Sequence, residues 1–206
     1  MLSGELEAMQ AGIRKVSLDA VASLETEVNL LKHLIEDLYQ LSTSDAGGLR
    51  YEFEEGDLAE PISAVVFAMQ TSYSNAAIEL SASVDETVKC KFDKARIEQL
   101  MFNILGNSLK YTDSPGKTAV TVTETSKYAQ IIVEDSAPGC NEQECERMFE
   151  ALYKADKSRV RGHQLSAGLG LAIAKNIVEA HHGHISATPS TLGGIRLTIQ
   201  LPKVED

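Results

Sequence analysis

Phe102–Thr112 reads FNILGNSLKYT, Val133–Gly139 reads VEDSAPG and Gly168–Ile173 reads GLGLAI. Asn103 and Asn107 are four residues apart. On a helix their amides would lie on one face, one turn apart, where both reach a cation bound to phosphate. Asp135 ends the apolar run IIVED, as expected of a strand that delivers a carboxylate to the rim of a sheet. Gly168 and Gly170 open an amphipathic helix, whose first N–H groups have no partner within the helix and suit an anion. A lone Asn pair or GxG is common, so the information lies in the order and spacing of the three stretches together.

Outward from these stretches, Asp93 is placed to cap the helix that carries both asparagines. Alternation at Ala77–Val84 and Val88–Phe92 predicts strands before it, and strands are expected at about 117–125 and 128–134 after it. A lid at 140–167, a glycine-started helix to about 182 and strands at about 184–189 and 194–201 complete the pattern. Upstream, Leu49–Phe53 is expected as a short strand, and Asp57 as the start of a helix that tolerates Pro61 in its first turn. Helices mixed with antiparallel hairpins predict an α+β, two-layer sandwich.

The first segment has another period. Val21, Leu24, Val28, Leu31, Ile35 and Leu38 step by three and four, the seam of a helix in a bundle. Leu2–Gln10 is a candidate partner, folding back through Ala11–Ser17, with Ser17 as cap. Ser42–Gly48, STSDAGG, breaks the heptads and reads as a hinge. The organisation expected is a helical hairpin at 1–44, a linker with the first strand at 45–56, and the main domain at 57–206.

The chain has 206 residues, 43% hydrophobic and 24% charged, which fits a globular protein of one domain plus an appendage. A net charge of -11 argues against nucleic acid as a partner. An anionic ligand would need local positive charge, for which Lys110, Lys154 and Arg159 are candidates. Cys90, Cys140 and Cys145 form no paired framework and none lies in a CxxC, so unpaired thiols in a reducing compartment are expected. The apolar run Ala64–Met69 is too short to span a bilayer, so no membrane contact is expected of this segment. His181, His182 and His184 resemble a metal cluster, yet their place at a helix end before Gly183 suits a C-terminus better.

The motifs resemble, over nearly the whole chain, the N, G1, F and G2 boxes of the sensor histidine kinase ATP-binding domain. That domain is a branch of the gyrase, Hsp90, histidine kinase and MutL superfamily, and the resemblance implies its Bergerat fold. It also implies ATP and Mg2+ as ligands, with ADP as the spent nucleotide. Asp135 would read adenine, because a carboxylate only accepts hydrogen bonds and the exocyclic amine of adenine donates them. Gly139 would let the turn pass close to the base. Ala137 stands where the family has a glycine, from which a slightly altered turn with retained binding is expected. Asn107 is the implied Mg2+ ligand through its oxygen. Asn103 would hold a water or a phosphate one turn back. Relatives that hydrolyse ATP carry a glutamate there, and Asn is no base, which favours transfer to a protein acceptor.

Lys110 and Tyr111 would serve the phosphates and the site wall, and Phe149 and Tyr153 in MFEALYK match the F box. Lys154 takes a place near the transferred phosphate where relatives often have Arg, losing the bidentate fork, and Arg159 is a candidate to share that role. Gly168, Leu169, Gly170 and Leu171 would line the phosphates, with Ser166 in place of the first glycine, and Thr198 is also assigned to the nucleotide. His163 reads as a loop residue.

By the resemblance, residues 1–44 are part of the dimerisation and histidine phosphotransfer bundle, whose acceptor histidine sits in a motif of the type HDLRTP upstream of SGELEAMQ. The chain is expected to begin just past it, and His33 has no acidic neighbour following it. The expected whole is a membrane-anchored, homodimeric kinase with this part in the cytoplasm, passing phosphate to a cognate response regulator. A nucleotide-binding or interaction module with impaired transfer, or a serine kinase of the same superfamily, are the alternatives.

Overall fold

The computed structural model describes residues 2–13, 15–45, 50–85, 87–136, 138–153 and 168–203. Two helices come first, α1 (Leu2–Gln10) and α2 (Leu18–Asp45). The Ser17 hydroxyl accepts a hydrogen bond from the Ala20 N–H at 3.2 Å, the expected cap. Contrary to the hinge expected from Ser42, α2 continues to Asp45. Thr43 Oγ1 donates to the Tyr39 and Gln40 carbonyls at 2.8 and 3.1 Å, so this small polar residue bonds back into the helix without ending it.

The heptad seam remains open. Val21, Val28, Leu31, Ile35 and Leu38 are 48%, 51%, 51%, 68% and 62% exposed, so α1 does not cover them. The far end of α2 is attached to the main domain, where the side-chain amides of Gln40 and Gln99 hydrogen-bond each other at 3.1 and 2.7 Å. No helix among the described residues is long and apolar enough to cross a membrane.

The main domain runs β1 (Glu54–Asp57), α3 (Ala59–Asn75), β2 (Ile78–Val84), β3 (Lys89–Phe92), α4 (Lys94–Tyr111), β4 (Gly116–Glu124), β5 (Tyr128–Asp135), α5 (Glu142–Arg147), α6 (Gly170–Ala180), β6 (His184–Pro189) and β7 (Ile195–Pro202). The strand expected at Leu49–Phe53 therefore lies further on. Glu54–Asp57 pairs antiparallel with Lys89–Phe92, while the rings of Tyr51 and Phe53 pack edge-on against His181, with centroids 5.8 and 4.9 Å away. Asp57 ends β1, and its Oδ1 accepts from Ala59 N–H and Val88 N–H, both at 3.0 Å, which ties the start of α3 to the approach to β3.

The larger sheet has the order β2-β4-β5-β7-β6. Only β2 and β4 run parallel. Alternation sends Val120, Val122, Ile131, Val133, Leu197, Ile199 and Leu201 to one buried face, under α3, α4 and α6. The other face is half-exposed, which makes the domain a two-layer α+β sandwich. Ile97, Leu100, Met101, Ile104 and Leu105 form the buried stripe of α4, each contributing about 1.5–3 kcal/mol on burial. Asp93 caps this helix as expected, its Oδ1 accepting from Arg96 N–H at 3.1 Å.

The cysteine expectation needs correction. Cys140 and Cys145 form a disulfide with Cα atoms 5.9 Å apart, because α5 begins between them and its first turn brings residue 145 back over residue 140. Cys90 is the buried free thiol, and burial, with Asp57 nearby, pushes its pKa up to about 12.

Candidate active site

Asp135 is the last residue of β5 and is 6% exposed. Its position on the core face places it under α4, where Ser108 continues the buried stripe. The Ser108 hydroxyl donates to Asp135 Oδ2 at 2.8 Å, and the Ile195 N–H donates to Oδ1 at 2.8 Å. The Gly194 N–H donates to the Asp135 carbonyl at 3.1 Å. A buried carboxylate needs such donors, and these fix its plane from two sides. Each carboxylate oxygen can accept more than one hydrogen bond, so a ligand amine remains within its chemistry. Gly139 follows the same turn, and a Cβ there would stand 3.0 Å from the Gly193 carbonyl oxygen, a tight approach that the neighbouring backbone would have to relieve.

Tyr73 supports this end from beneath. Its hydroxyl donates to the Leu105 carbonyl at 2.8 Å, and burial pushes its pKa up to about 12, so it stays a donor.

The other end of the site lies between α4 and α6. Asn103, Asn107, Lys110 and Tyr111 occupy the half-buried edge of α4 beside its apolar stripe. A Cβ on Gly170 would lie 3.8 Å from Cβ and Cγ of Asn103, which places the start of α6 directly against that asparagine. The Asn103 Nδ2 is buried and has no hydrogen-bond partner among the described residues. An unmet buried donor costs about 1–3 kcal/mol, a cost that a bound acceptor would relieve. The N-cap of α6, Leu169, has no side chain able to cap it, so among the described residues the first N–H groups of the helix have no side-chain cap. Gly168 has φ +73°, and a Cβ there would meet the Tyr153 carbonyl at 2.7 Å. The Leu152 N–H donates to the Gly168 carbonyl at 3.0 Å, so the chain on either side of 154–167 meets here.

The remaining candidates divide. Lys110 Nζ lies 5.3 Å from the Tyr111 ring centroid, and the Arg147 guanidinium lies 4.5 Å from that of Tyr153. Phe149 and Leu171 are partly buried against the core, and Leu169 is buried, so contact of Leu169 with a ligand would come from its backbone. Thr198 is not brought to the site. It pairs with Ile132 and Ser186 and, by strand alternation, sits on the sheet face opposite Asp135. Ala137, Lys154, Arg159, His163 and Ser166 lie outside the described residues, as does the side chain of His33.

His181 has a structural post. Its Nδ1 is 2.8 Å from the Ile177 carbonyl and its Nε2 accepts from the Asp93 N–H at 3.0 Å, the pattern of a neutral ring protonated on Nδ1. Among the described residues no three His, Cys, Asp or Glu side chains gather to hold a metal. A cation would therefore draw on an amide oxygen such as that of Asn107 and on the ligand's own phosphates.

Ser108, Tyr73, Gly194 and Ile195 were not singled out in the sequence. Ser108 alone left a trace, as a polar residue in register with Ile97, Met101 and Ile104. The two backbone donors depend on the pairing of β5 with β7, which no local pattern announces.

A two-layer sandwich with a buried acceptor at a strand end and a glycine-started helix against an asparagine edge is an arrangement able to take a nucleotide, base at one end and phosphates at the other. Residues 92–205 match the model of the "Histidine kinase-, DNA gyrase B-, and HSP90-like ATPase" family, more than half of the chain, and the protein belongs to that family. It is 39% identical over all 206 residues to the signal transduction histidine-protein kinase BaeS of Escherichia coli K12, of which it spans 44%. The chain thus covers less than half of that relative's length. Among solved structures, Acinetobacter baumannii histidine kinase AdeS superposes with a TM-score of 0.84 at 24% identity, covering 99% of this chain and 94% of that one. Histidine kinase ThkA, solved in complex with the response regulator TrrA, gives 0.78 at 20% identity over 98% of this chain and 57% of its own.

Proposed function

We propose that this chain is the part of a two-component sensor histidine kinase that binds Mg-ATP and donates its γ-phosphate to a histidine of the dimerisation bundle, from which a response regulator takes it. The observation that carries the reading is the pairing of a buried, doubly held Asp135 with the unpartnered Asn103 amide at the glycine-started α6. Asp135 accepts from the adenine amine, and Gly139 admits the base beside Gly193 and Gly194. The Asn107 oxygen would hold Mg2+, which neutralises charge on the phosphates and orients them. Asn103 donates to a phosphate oxygen or its water, the N–H groups of α6 receive the phosphates, and Lys110 supplies positive charge. Tyr111, Phe149 and Tyr153 wall the site, and Lys154 and Arg159 complete the charge near the transferred phosphate.

With asparagine at 103 no side chain there removes a proton from water, which favours transfer over hydrolysis. The open seam of α2 fits a second copy, as expected of a dimerisation bundle. The hairpin at 1–44 is then part of that bundle, and the 57–206 domain works at the cytoplasmic face of a bacterial inner membrane. No histidine of this chain serves as acceptor.

Labelled ATP tests both halves. Mixed with a bundle bearing an HDLRTP-type histidine, the chain should yield acid-labile, base-stable phosphate on that bundle, and incubated alone it should yield none. Nucleotide binding without transfer to the supplied bundle would favour the non-catalytic module, and label on His33 would overturn the assignment of acceptor.

A further inference from the structure

We propose that Cys140 and Cys145 form a reversible thiol–disulfide site whose oxidation holds the adenine end of the nucleotide site in its binding geometry. The inference rests on the nucleotide reading above. Cys140 follows Gly139 directly, and Gly139 is pressed against the Gly193 and Gly194 carbonyls, on the same turn whose N–H groups hold Asp135. Cys145 is 2% exposed on α5, which packs against the edge strand β6. Beyond α5, Met148 and Phe149 pack on the core. One bond therefore joins the turn leaving Asp135 to an anchored helix.

Without that bond, the start of α5 is clasped by the Cys145 N–H, which donates to the Asn141 carbonyl at 2.9 Å, and by the capping box. Asn141 Oδ1 accepts from Glu144 N–H and Glu144 Oε2 accepts from Asn141 N–H, both at 2.9 Å. A turn held by the clasp alone samples more conformations and must be ordered when the base enters, which weakens binding. In a cytoplasmic setting disulfides are rare and tend to be transient or redox-sensing, so the state of this pair would follow its surroundings.

The chemistry needs a disulfide of a small thiol or a protein as oxidant. The half-exposed Cys140, as thiolate, attacks that disulfide and expels one external thiolate. The Cys145 thiolate then attacks the Cys140 sulfur and expels the second. Two cysteine thiols lose two electrons, the external disulfide becomes two thiols, and both protons pass to them. Reduction by an external thiol runs the same steps backwards, entering at Cys140 because Cys145 is covered.

The whole chain should be treated with oxidised glutathione or with a phosphine reductant, alkylated after denaturation and weighed, with ATP affinity measured on the same batches. One alkylated cysteine, Cys90, is expected after oxidation and three after reduction. ATP should bind at least threefold more tightly to the oxidised protein. Cys140→Ser should bind like the reduced protein and ignore both reagents, and Cys145→Ala serves as the second variant. Three alkylated cysteines after oxidation, or equal affinity in the two states, would overturn the proposal while leaving the nucleotide reading intact. No ATP binding in either state would overturn both.

Discussion

The two ends of the site are finished to different degrees. At the end proposed for adenine, Asp135 has a donor on each carboxylate oxygen and a third on its carbonyl, all from the domain's own α4 and β7 turn. At the end proposed for phosphate, the Asn103 Nδ2 is buried without a partner among the described residues, and the N-cap Leu169 gives α6 no side-chain cap. The fold builds the first end by itself, because a buried carboxylate must be satisfied for the domain to be stable. It leaves the second end with donors to spare, which a triphosphate would satisfy. Base recognition should therefore be rigid and independent of metal, whereas phosphate recognition should depend on charge and cation.

Asp135→Asn should break the adenine end with the largest effect. It exchanges a charged acceptor for a weaker one and puts an amide nitrogen where Ser108 Oγ or Ile195 N–H now donates. A charge-assisted hydrogen bond is worth about 1.5–3 kcal/mol, hence roughly a tenfold to hundredfold loss of ATP affinity by calorimetry. Adenosine should lose as much, since the damage lies at the base.

Ser108→Ala comes next. It removes one donor from Oδ2 and leaves the carboxylate and the Ile195 N–H in place, so ATP and adenosine should both weaken by roughly threefold to tenfold, in line with the about 0.5–1.5 kcal/mol of an ordinary net hydrogen bond. Ser108→Thr keeps the hydroxyl and should recover part of the loss. A loss for ATP with none for adenosine would detach Ser108 from base recognition.

This asymmetry also marks what the sequence made legible. The apolar stripe of α4, the Asp93 cap and the run ending in Asp135 are local patterns, and the helix, cap and strand expected from them are present. Ser108, Gly194 and Ile195 meet Asp135 only through tertiary pairing, so local spacing did not expose them. Thr198 failed for the complementary reason, since a strand turns alternate residues to opposite faces and the register decides which. Tyr51 and Phe53 were expected in a strand, yet their rings pack on His181. The Cys140–Cys145 bond depends on a single turn of α5 inside the stretch expected as a lid.

A smaller effect tests the frame that carries both ends. Burial holds the His181 pKa below the ordinary imidazole range, against the opposing pulls of the Ile177 carbonyl and Asp93. The unfolded chain then takes up the proton first as pH falls, so the contribution of His181 is complete above about pH 6.5 and is lost as pH falls toward the lowered folded value. Denaturant unfolding should show stability declining along that limb, and His181→Gln should flatten it. An unchanged slope in the variant would mean that another group titrates there.

The measurement that bears most directly on the two-ended site is a titration of the native chain and of Asn107→Ala with ATP and with adenosine, each with and without Mg2+. The native chain should bind adenosine equally in both conditions and bind ATP more tightly with Mg2+. Asn107→Ala should keep the adenosine affinity and lose the metal-dependent gain for ATP. Unchanged Mg-ATP affinity in the variant would place the cation elsewhere, and failure of the native chain to bind adenosine would contradict the adenine end built on Asp135.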